Sequence, residues 1–115
     1  MKRIQLLLQA HVVAEGIAAT FVPFCEVAVY DLLDPGNAII AFYNNLSGRP
    51  IGDPTTGRGF SSVADPNHPK IEANYANRFA DGRKLKSISI GIKDSTGIYI
   101  ASACLNVDLS FFDVF

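Results

Sequence analysis

Residues 82–108 of the chain read GRKLKSISIGIKDSTGIYIASACLNVD. Their alternation of residue types predicts two β-strands around a turn at 94–97. A four-residue loop there places Ser87 directly opposite Cys104, with Asn106 one pleat further along the same face. The other face is apolar, whereas this one carries small polar side chains: Ser87, Ser89, Ser102, Cys104 and Asn106. Such a face is typical of a small-molecule pocket, and the alternative is a half-exposed face whose serines meet water.

Residues 3–20 predict an N-terminal helix, because their apolar residues recur at helical spacing. The side chains expected on its buried face are Ile4, Leu7, Leu8, Val12 and Ile17. Apolar residues extend well beyond that stripe, and a helix that is apolar around most of its circumference is covered on two sides. In a protein of one domain the second cover is expected to be another copy of the same chain, so the sequence predicts a homodimer.

Downstream of the helix the sequence predicts an antiparallel sheet. Residues 25–32 are rich in β-branched and aromatic residues and form a strand, and 38–45 form its partner. DPGN at 34–37 supplies the turn between them, with a positive φ expected at Gly36. A third strand is expected to begin at residue 71 and to enter a turn at Asp81-Gly82. With the last hairpin, this order indicates an α+β fold with one antiparallel sheet and helices on one side.

Residues 46–70 are rich in glycine and proline, so no long regular element is expected there beyond a short helix around 60–63. Long irregular segments in compact domains are usually functional or disordered. We expect a pocket between this segment and the polar face of the last hairpin, with Arg49 at its mouth. The candidate ligand-binding residues are therefore Ser87, Cys104, Asn106 and Arg49. A small carboxylate or amide metabolite suits them, since hydroxyl and carboxamide groups both donate and accept and an arginine binds anions.

Arg49 and Arg83 could form structural ion pairs instead of binding a ligand. Arg49 and Arg83 each follow a glycine next to a strand, where a guanidinium group can bind a carboxylate in a forked geometry. That carboxylate belongs either to a ligand or to the chain itself, and the aspartates available are Asp31, Asp53 and Asp108. The sequence leaves both interpretations open.

Catalysis and metal binding find little support in the sequence. Cys104 lies near Asn106, which raises the hypothesis of a small cysteine-dependent hydrolase with His11 or His68 as the base. No spacing gives either histidine a partner, so we expect no enzyme and no catalytic residue. Two lone histidines and two distant cysteines match no metal-ligand pattern, and no metal or cofactor is expected. Cys25 and Cys104 are expected to be buried thiols, with a disulfide between them as the alternative.

The length and net charge of the chain limit the number of domains and the kinds of partner that can be expected. The chain has 115 residues, of which 10 are basic and 11 acidic, giving a net charge of −1. We expect one domain over residues 1–115, with a helix at 1–20 and a sheet domain at 25–115. The near-neutral charge argues against DNA binding by this chain and against an anionic membrane surface. Polar residues interrupt the apolar start, and no stretch spans a bilayer, so a cytoplasmic location is expected.

Four motifs resemble the YheO-like PAS domain family of bacterial transcription regulators. They are CEVAVYDL at 25–32, SGRPIG at 47–52, DGRKLKS at 81–87 and CLNVD at 104–108. The resemblance implies a five-stranded antiparallel sheet in the order two-one-five-four-three, with helices over one face. It also implies a sensory domain that is joined to a C-terminal helix-turn-helix, and the chain stops at Phe115, where that DNA-binding part is expected to begin.

Two functions follow from the resemblance and the polar face together. The first is a ligand-sensing regulatory domain that dimerises and binds a small metabolite, with DNA held only by a helix-turn-helix outside this chain. The second is a ligand-free dimerisation module of the same fold, in which the small polar face is merely packed.

Overall fold

The computed structural model describes residues 3–54 and 67–112. Within them lie one α-helix and five β-strands, namely α1 (Arg3–Thr20), β1 (Cys25–Asp31), β2 (Ile39–Tyr43), β3 (Ile71–Arg78), β4 (Lys84–Lys93) and β5 (Tyr99–Asp108). Short 3₁₀ turns occupy Pro35–Asn37 and Leu109–Phe112. The strands form one antiparallel sheet in the order β2-β1-β5-β4-β3, as the resemblance implied. The helix expected around 60–63 lies outside the described residues.

Helix α1 packs on one face of the sheet through its smallest side chains. The contacting residues are Ala10, Ala14 and Ala18 on the helix and Cys25, Val27 and Val29 on β1. The predicted buried face was therefore largely wrong, because Ile4, Leu8 and Val12 are 67%, 61% and 67% exposed. The valines of β1 already fill the space between helix and sheet, so alanine rather than isoleucine fits against them. Of the predicted set, Leu7 is buried and Ile17 packs, partly buried, against the core.

Polar contacts fix the position of α1 along the sheet. The Arg3 guanidinium forms an ion pair with Asp31, the last residue of β1. About two turns further along the helix, the His11 Nδ1 atom lies 3.0 Å from the Tyr43 hydroxyl at the end of β2. These contacts tie the helix to two neighbouring strands. In the described part of the chain, no helix has both the length and the apolar character that crossing a membrane requires.

The turns differ from one another in where they need glycine. The segment Pro35–Asn37 forms a 3₁₀ turn, and the expected positive φ at Gly36 was wrong. The fixed φ of proline suits such a turn without a left-handed residue. The two later hairpins do use left-handed glycines, with φ of 91° at Gly82 and 87° at Gly97. The turn expected at Asp81-Gly82 is confirmed.

The β4–β5 hairpin is shifted by two residues from the predicted pairing. Ser87 lies opposite Asn106 rather than Cys104, and Cys104 lies opposite Ser89. One residue of this shift arises at the turn, where Lys93 pairs with Tyr99 rather than with Ile98, and the β-bulge between Ile92 and Lys93 adds the second. A shift of two preserves the face of each side chain, so the predicted polar face is retained although its neighbours change.

Candidate functional site

The polar face of the sheet lies opposite α1 and consists of residues paired across β1, β5 and β4. Three successive rungs are Glu26–Asn106–Ser87, Ala28–Cys104–Ser89 and Tyr30–Ser102–Gly91. Alternate residues of a strand share a face, so these nine positions form one surface. We call the first of them the Glu26 rung.

Hydrogen bonds join all three members of the Glu26 rung. The Ser87 hydroxyl donates to Asn106 Oδ1 over 2.8 Å, and Asn106 Nδ2 donates to Glu26 Oε1 over 2.9 Å. The backbone N–H of Ser47 donates to the other carboxylate oxygen over 2.6 Å. Ser87 and Glu26 are 0% and 1% exposed. Both oxygens of Glu26 accept hydrogen bonds from N–H groups, which is the pattern of an ionised carboxyl group.

Residues 44–54 lie over the Glu26 rung, and we call them the covering segment. Asn44 begins it with a φ of 54°, and its Nδ2 atom donates to the carbonyl oxygens of Pro23 and Cys25, each over 2.9 Å. Asparagine adopts this left-handed conformation more readily than most residues. At the other end, the Gly52 N–H donates to the Ile39 carbonyl over 2.7 Å. The covering segment is thus attached to the sheet at both ends.

A cavity of about 140 Å³ lies between the covering segment and the sheet. Its lining includes Glu26, Tyr30 and Asn106 of the sheet, Ser47 and Arg49 of the covering segment, and Arg78 at the end of β3. Burial raises the pKa of Tyr30 to about 12, and the neighbouring Cys104 adds to this rise while Arg49 opposes it. At neutral pH the Tyr30 side chain in the cavity is therefore an uncharged phenol.

Arg49 lies at the edge of the cavity with 32% of its side chain exposed. Its Nε atom donates to Asp53 over 3.3 Å, and its two terminal nitrogens donate to the Tyr30 hydroxyl over 3.3 Å and the Pro54 carbonyl over 3.1 Å. The structural ion pair that was the alternative for this arginine is thus present. The same side chain also lines the cavity, since Asp53 binds only its Nε atom.

Arg83 has a structural position. Its Nη1 atom lies 2.7 Å from the buried carboxylate of Asp108, and its Nε atom lies 2.7 Å from Asp81. Its remaining terminal nitrogen donates to the Leu46 carbonyl over 2.8 Å, and the guanidinium stacks on the Phe79 ring at 4.5 Å. One side chain thereby joins the β3–β4 turn, the end of β5 and the covering segment.

The model of the YheO-like PAS domain matches residues 1–115. This chain belongs to the YheO-like PAS domain family. Among its relatives, the transcriptional regulator DauR of Pseudomonas aeruginosa is 35% identical over 101 residues, which are 88% of this chain and 46% of that protein. An uncharacterized protein of Haemophilus influenzae is 24% identical over 98 residues, covering 84% of this chain and 44% of the other. The PAS domain thus spans less than half the length of these two relatives.

Solved PAS domains share the fold at low sequence identity. The PAS domain of BvgS from Bordetella pertussis superposes with a TM-score of 0.57 at 14% identity, and the match covers 96% of each chain. A PAS domain from Colwellia psychrerythraea gives a TM-score of 0.53 at 18% identity, covering 90% of this chain and 96% of that one. The predicted PAS-type α+β fold is confirmed.

The PAS domain brings only some of the predicted site residues together. Arg49 and Asn106 line the cavity, whereas Ser87 is fully buried behind Asn106 and bonded to it. Cys104 lies in the next rung, half-buried, with its sulfur 3.3 Å from the Ser89 hydroxyl. Sequence reasoning missed Glu26. Two features of the sequence could have identified this residue. The alternation of CEVAVYD places Glu26 on the same face as Tyr30, and the implied strand order pairs β1 with β5.

Both histidines that the cysteine-nucleophile hypothesis offered as a base bind other residues. His11 bonds Tyr43 on the opposite face of the sheet, and His68 forms an ion pair of 2.8 Å with Glu72. Cys25 and Cys104 are not joined by a disulfide, so the alternative of a disulfide between them was wrong. Burial raises the pKa of Cys25, and the adjacent Glu26 adds to the rise. Across 3–54 and 67–112, no cluster of three His, Cys, Asp or Glu side chains could hold a metal ion.

Proposed function

We propose that this PAS domain is the ligand-sensing part of a transcription regulator. Its ligand would be a small carboxylate or amide metabolite that binds between the Glu26 rung and the covering segment. The observation that carries this proposal is the cavity itself, which combines a buried hydrogen-bonding network with Arg49 at its edge. The relationship to a protein named as a transcriptional regulator supports the regulatory part.

The cavity's size limits the ligand class. Sites for drug-sized ligands enclose roughly 300–1,000 Å³, so a cavity of about 140 Å³ suits a metabolite of a few heavy atoms. Asn106 and Tyr30 supply hydrogen-bonding groups, and the Arg49 guanidinium favours an anion. Because the covering segment bears both Ser47 and Arg49, a bound ligand would contact sheet and segment at once. Such a ligand would stabilise the position of the segment on the sheet.

A thermal-shift screen of small carboxylates and amides tests this function. A ligand at ~100 times its dissociation constant adds ~2.7 kcal/mol to the free energy of unfolding, and each kcal/mol raises the melting temperature by roughly 4–8 °C. Arg49→Gln should weaken the response to a carboxylate hit. Lys84→Gln removes an exposed cation outside the described cavity lining and should leave the response unchanged. Carboxylate hits whose shift is unchanged in Arg49→Gln would place their binding away from Arg49, and a screen without hits would favour the ligand-free dimerisation module.

We further propose that the domain forms a homodimer through α1. Ile4, Leu8 and Val12 recur at helical spacing along the exposed side of the helix, opposite the alanines that contact the sheet. A row of large apolar side chains in water is typical of a binding surface rather than of a monomer. A second copy would cover this row by a symmetric helix-to-helix contact.

DNA contact is proposed to reside outside residues 1–115, in a helix-turn-helix of a longer cytoplasmic protein. The net charge of −1 gives this domain no basic face for phosphates. A gel-shift assay of the isolated domain at physiological salt should therefore show no sequence-selective binding. Nanomolar selective binding by residues 1–115 alone would contradict this assignment.

A further inference from the structure

Glu26 is a buried carboxylate that faces the cavity, and none of the basic residues that the structure describes pairs with it. It is 1% exposed, and among the described residues its side chain accepts hydrogen bonds from two neutral donors, the Ser47 N–H and the Asn106 amide. In the part of the chain that the structure describes, no lysine, arginine or histidine forms an ion pair with it. An ionised carboxylate that is removed from water is costly unless a countercharge accompanies its hydrogen bonds.

The two arginines in the described cavity lining bind other groups. Arg49 forms its ion pair with Asp53, and Arg78 is exposed and donates to the Gly82 carbonyl over 2.8 Å. Negative charge therefore lies on the sheet side of the cavity, at Glu26, and positive charge lies at its edge. Each carboxylate oxygen of Glu26 also has acceptor capacity beyond the one hydrogen bond that it receives from the described residues.

We propose that the ligand carries a protonated amine whose N–H groups donate to Glu26. This inference rests on the proposed function, since it names the chemical class of the molecule bound in the same cavity. A compound with an ammonium group at one end and a carboxylate or amide at the other would satisfy Glu26 and Arg49 together. The ammonium group supplies the missing positive charge, and the opposite end lies toward the guanidinium.

Four probes of five heavy atoms separate the contributions of the two ends. Glycine and glycinamide carry the ammonium group, and glycolate and glycolamide carry a hydroxyl in its place. Each pair contains one carboxylate and one amide. Titration is followed through the Ser47 amide resonance by NMR, up to tens of millimolar (about the range that such small ligands need) at constant ionic strength. We expect the ammonium member of each pair to bind about tenfold or more tightly than its hydroxyl partner.

Glu26→Gln tests the residue assignment. The substitution keeps the shape and removes the charge, so the preference for ammonium over hydroxyl should fall to about twofold or less. Arg49→Gln serves as the matched control, because it should change the ratio of carboxylate to amide and leave the ammonium preference intact. If Glu26→Gln does not fold, the four-probe comparison on the unaltered domain still decides the question.

Three results would overturn the inference. Equal binding of ammonium and hydroxyl probes would remove the need for a cation, and an unchanged ammonium preference in Glu26→Gln would assign it to another group. The third is the absence of saturable binding by all four probes. In that case a hit from the carboxylate and amide screen would leave the proposed function standing, whereas a screen without hits would remove both.

Discussion

The side-chain amide of Asn106 on β5 donates a hydrogen bond of 2.9 Å to the buried carboxylate of Glu26 on β1. The same amide accepts from Ser87 on β4 over 2.8 Å, so one side chain bridges the three central strands of the sheet. Asn106 also lines the cavity. It therefore serves stability and candidate ligand binding together, and its substitution cannot change one without the other.

Asn106→Leu should destabilise the domain. Its hydrogen bonds to Glu26 and Ser87 make Asn106 a structural residue as well as part of the cavity lining. Leucine would leave the Ser87 hydroxyl without its acceptor and Glu26 with one donor fewer, which should lower the free energy of unfolding by ~1–3 kcal/mol. Urea denaturation measures this change. Asn37→Leu, in an exposed turn, should change it by less than ~0.5 kcal/mol, and equal effects would contradict the argument.

Gly91→Ala should also be destabilising, through a steric effect. A Cβ atom at Gly91 would lie 2.5 Å from Cε1 and 2.8 Å from Cδ1 of the Tyr99 ring. Tyr99 is 1% exposed, so its ring has little room to move, and overpacking of this kind costs ~1–3 kcal/mol. Denaturation of Gly36→Ala supplies the control, since no atom lies within 4 Å of the Cβ position there.

A double-mutant cycle with Tyr99→Leu separates this clash from a general loss of glycine. If the ring is the obstacle, Gly91→Ala should cost clearly less in the Tyr99→Leu background than in the unaltered chain. Additive costs would show that the strand needs glycine for another reason. The cycle thus tests the packing of Tyr99 over the third rung directly.

The fold was largely predictable because its signals are local. Alternation in 82–108 identified the last hairpin, and the motif resemblance supplied the strand order. Helix α1 misled the prediction because it is apolar on nearly every side. Which side of the helix is buried depends on the surface that it packs against. The valines of β1 leave room for Ala14, whereas Leu8 is exposed. The predicted register was wrong by one residue at the turn and by one more at the bulge between Ile92 and Lys93, and no local sequence pattern indicates either.

The candidate site was predictable only in part. Asn106 and Arg49 stood out because a carboxamide in a strand and an arginine after glycine are unusual in themselves. Glu26 did not, since a single acidic residue in a strand usually means one exposed position. Its importance comes from pairing with Asn106, which is 80 residues away in the chain, and from the covering segment above it. Such contacts depend on the tertiary structure rather than on a motif.

Acid should weaken the domain through Asp108. Burial acts to raise the pKa of Asp108, but hydrogen bonds from Ser110 and Arg83 outweigh it, so this pKa lies below its ordinary value. A carboxyl group with a lower pKa in the folded state than the unfolded value of about 3.9 stabilises the fold above that pH. The contribution is lost as the pH falls through the folded-state pKa.

Asp108→Asn tests whether the charged form of Asp108 stabilises the fold. Its free energy of unfolding should lie below that of the unaltered domain at neutral pH, and the gap should narrow as the pH falls below about 4. Ser110→Ala removes one donor to Asp108 and should give a smaller effect in the same direction. Guanidinium chloride denaturation from neutral pH to about pH 3 measures both. A gap that stays constant over this range would show that the charge of Asp108 is not what stabilises the fold.

Leu8→Glu should dissociate the proposed homodimer and leave each copy folded. Leu8 is 61% exposed and lies away from the alanines that contact the sheet, so a carboxylate there meets water in the monomer. In a symmetric helix-to-helix contact the same change brings two carboxylates into an apolar surface, where neither finds a partner. Light scattering should show half the mass of the unaltered domain, with unchanged circular dichroism. Ile51→Glu, on the covering segment across the sheet, makes a similar change at a residue 66% exposed and should keep the mass of the dimer. An unaltered domain that is monomeric at high micromolar concentration would contradict the dimer proposal directly.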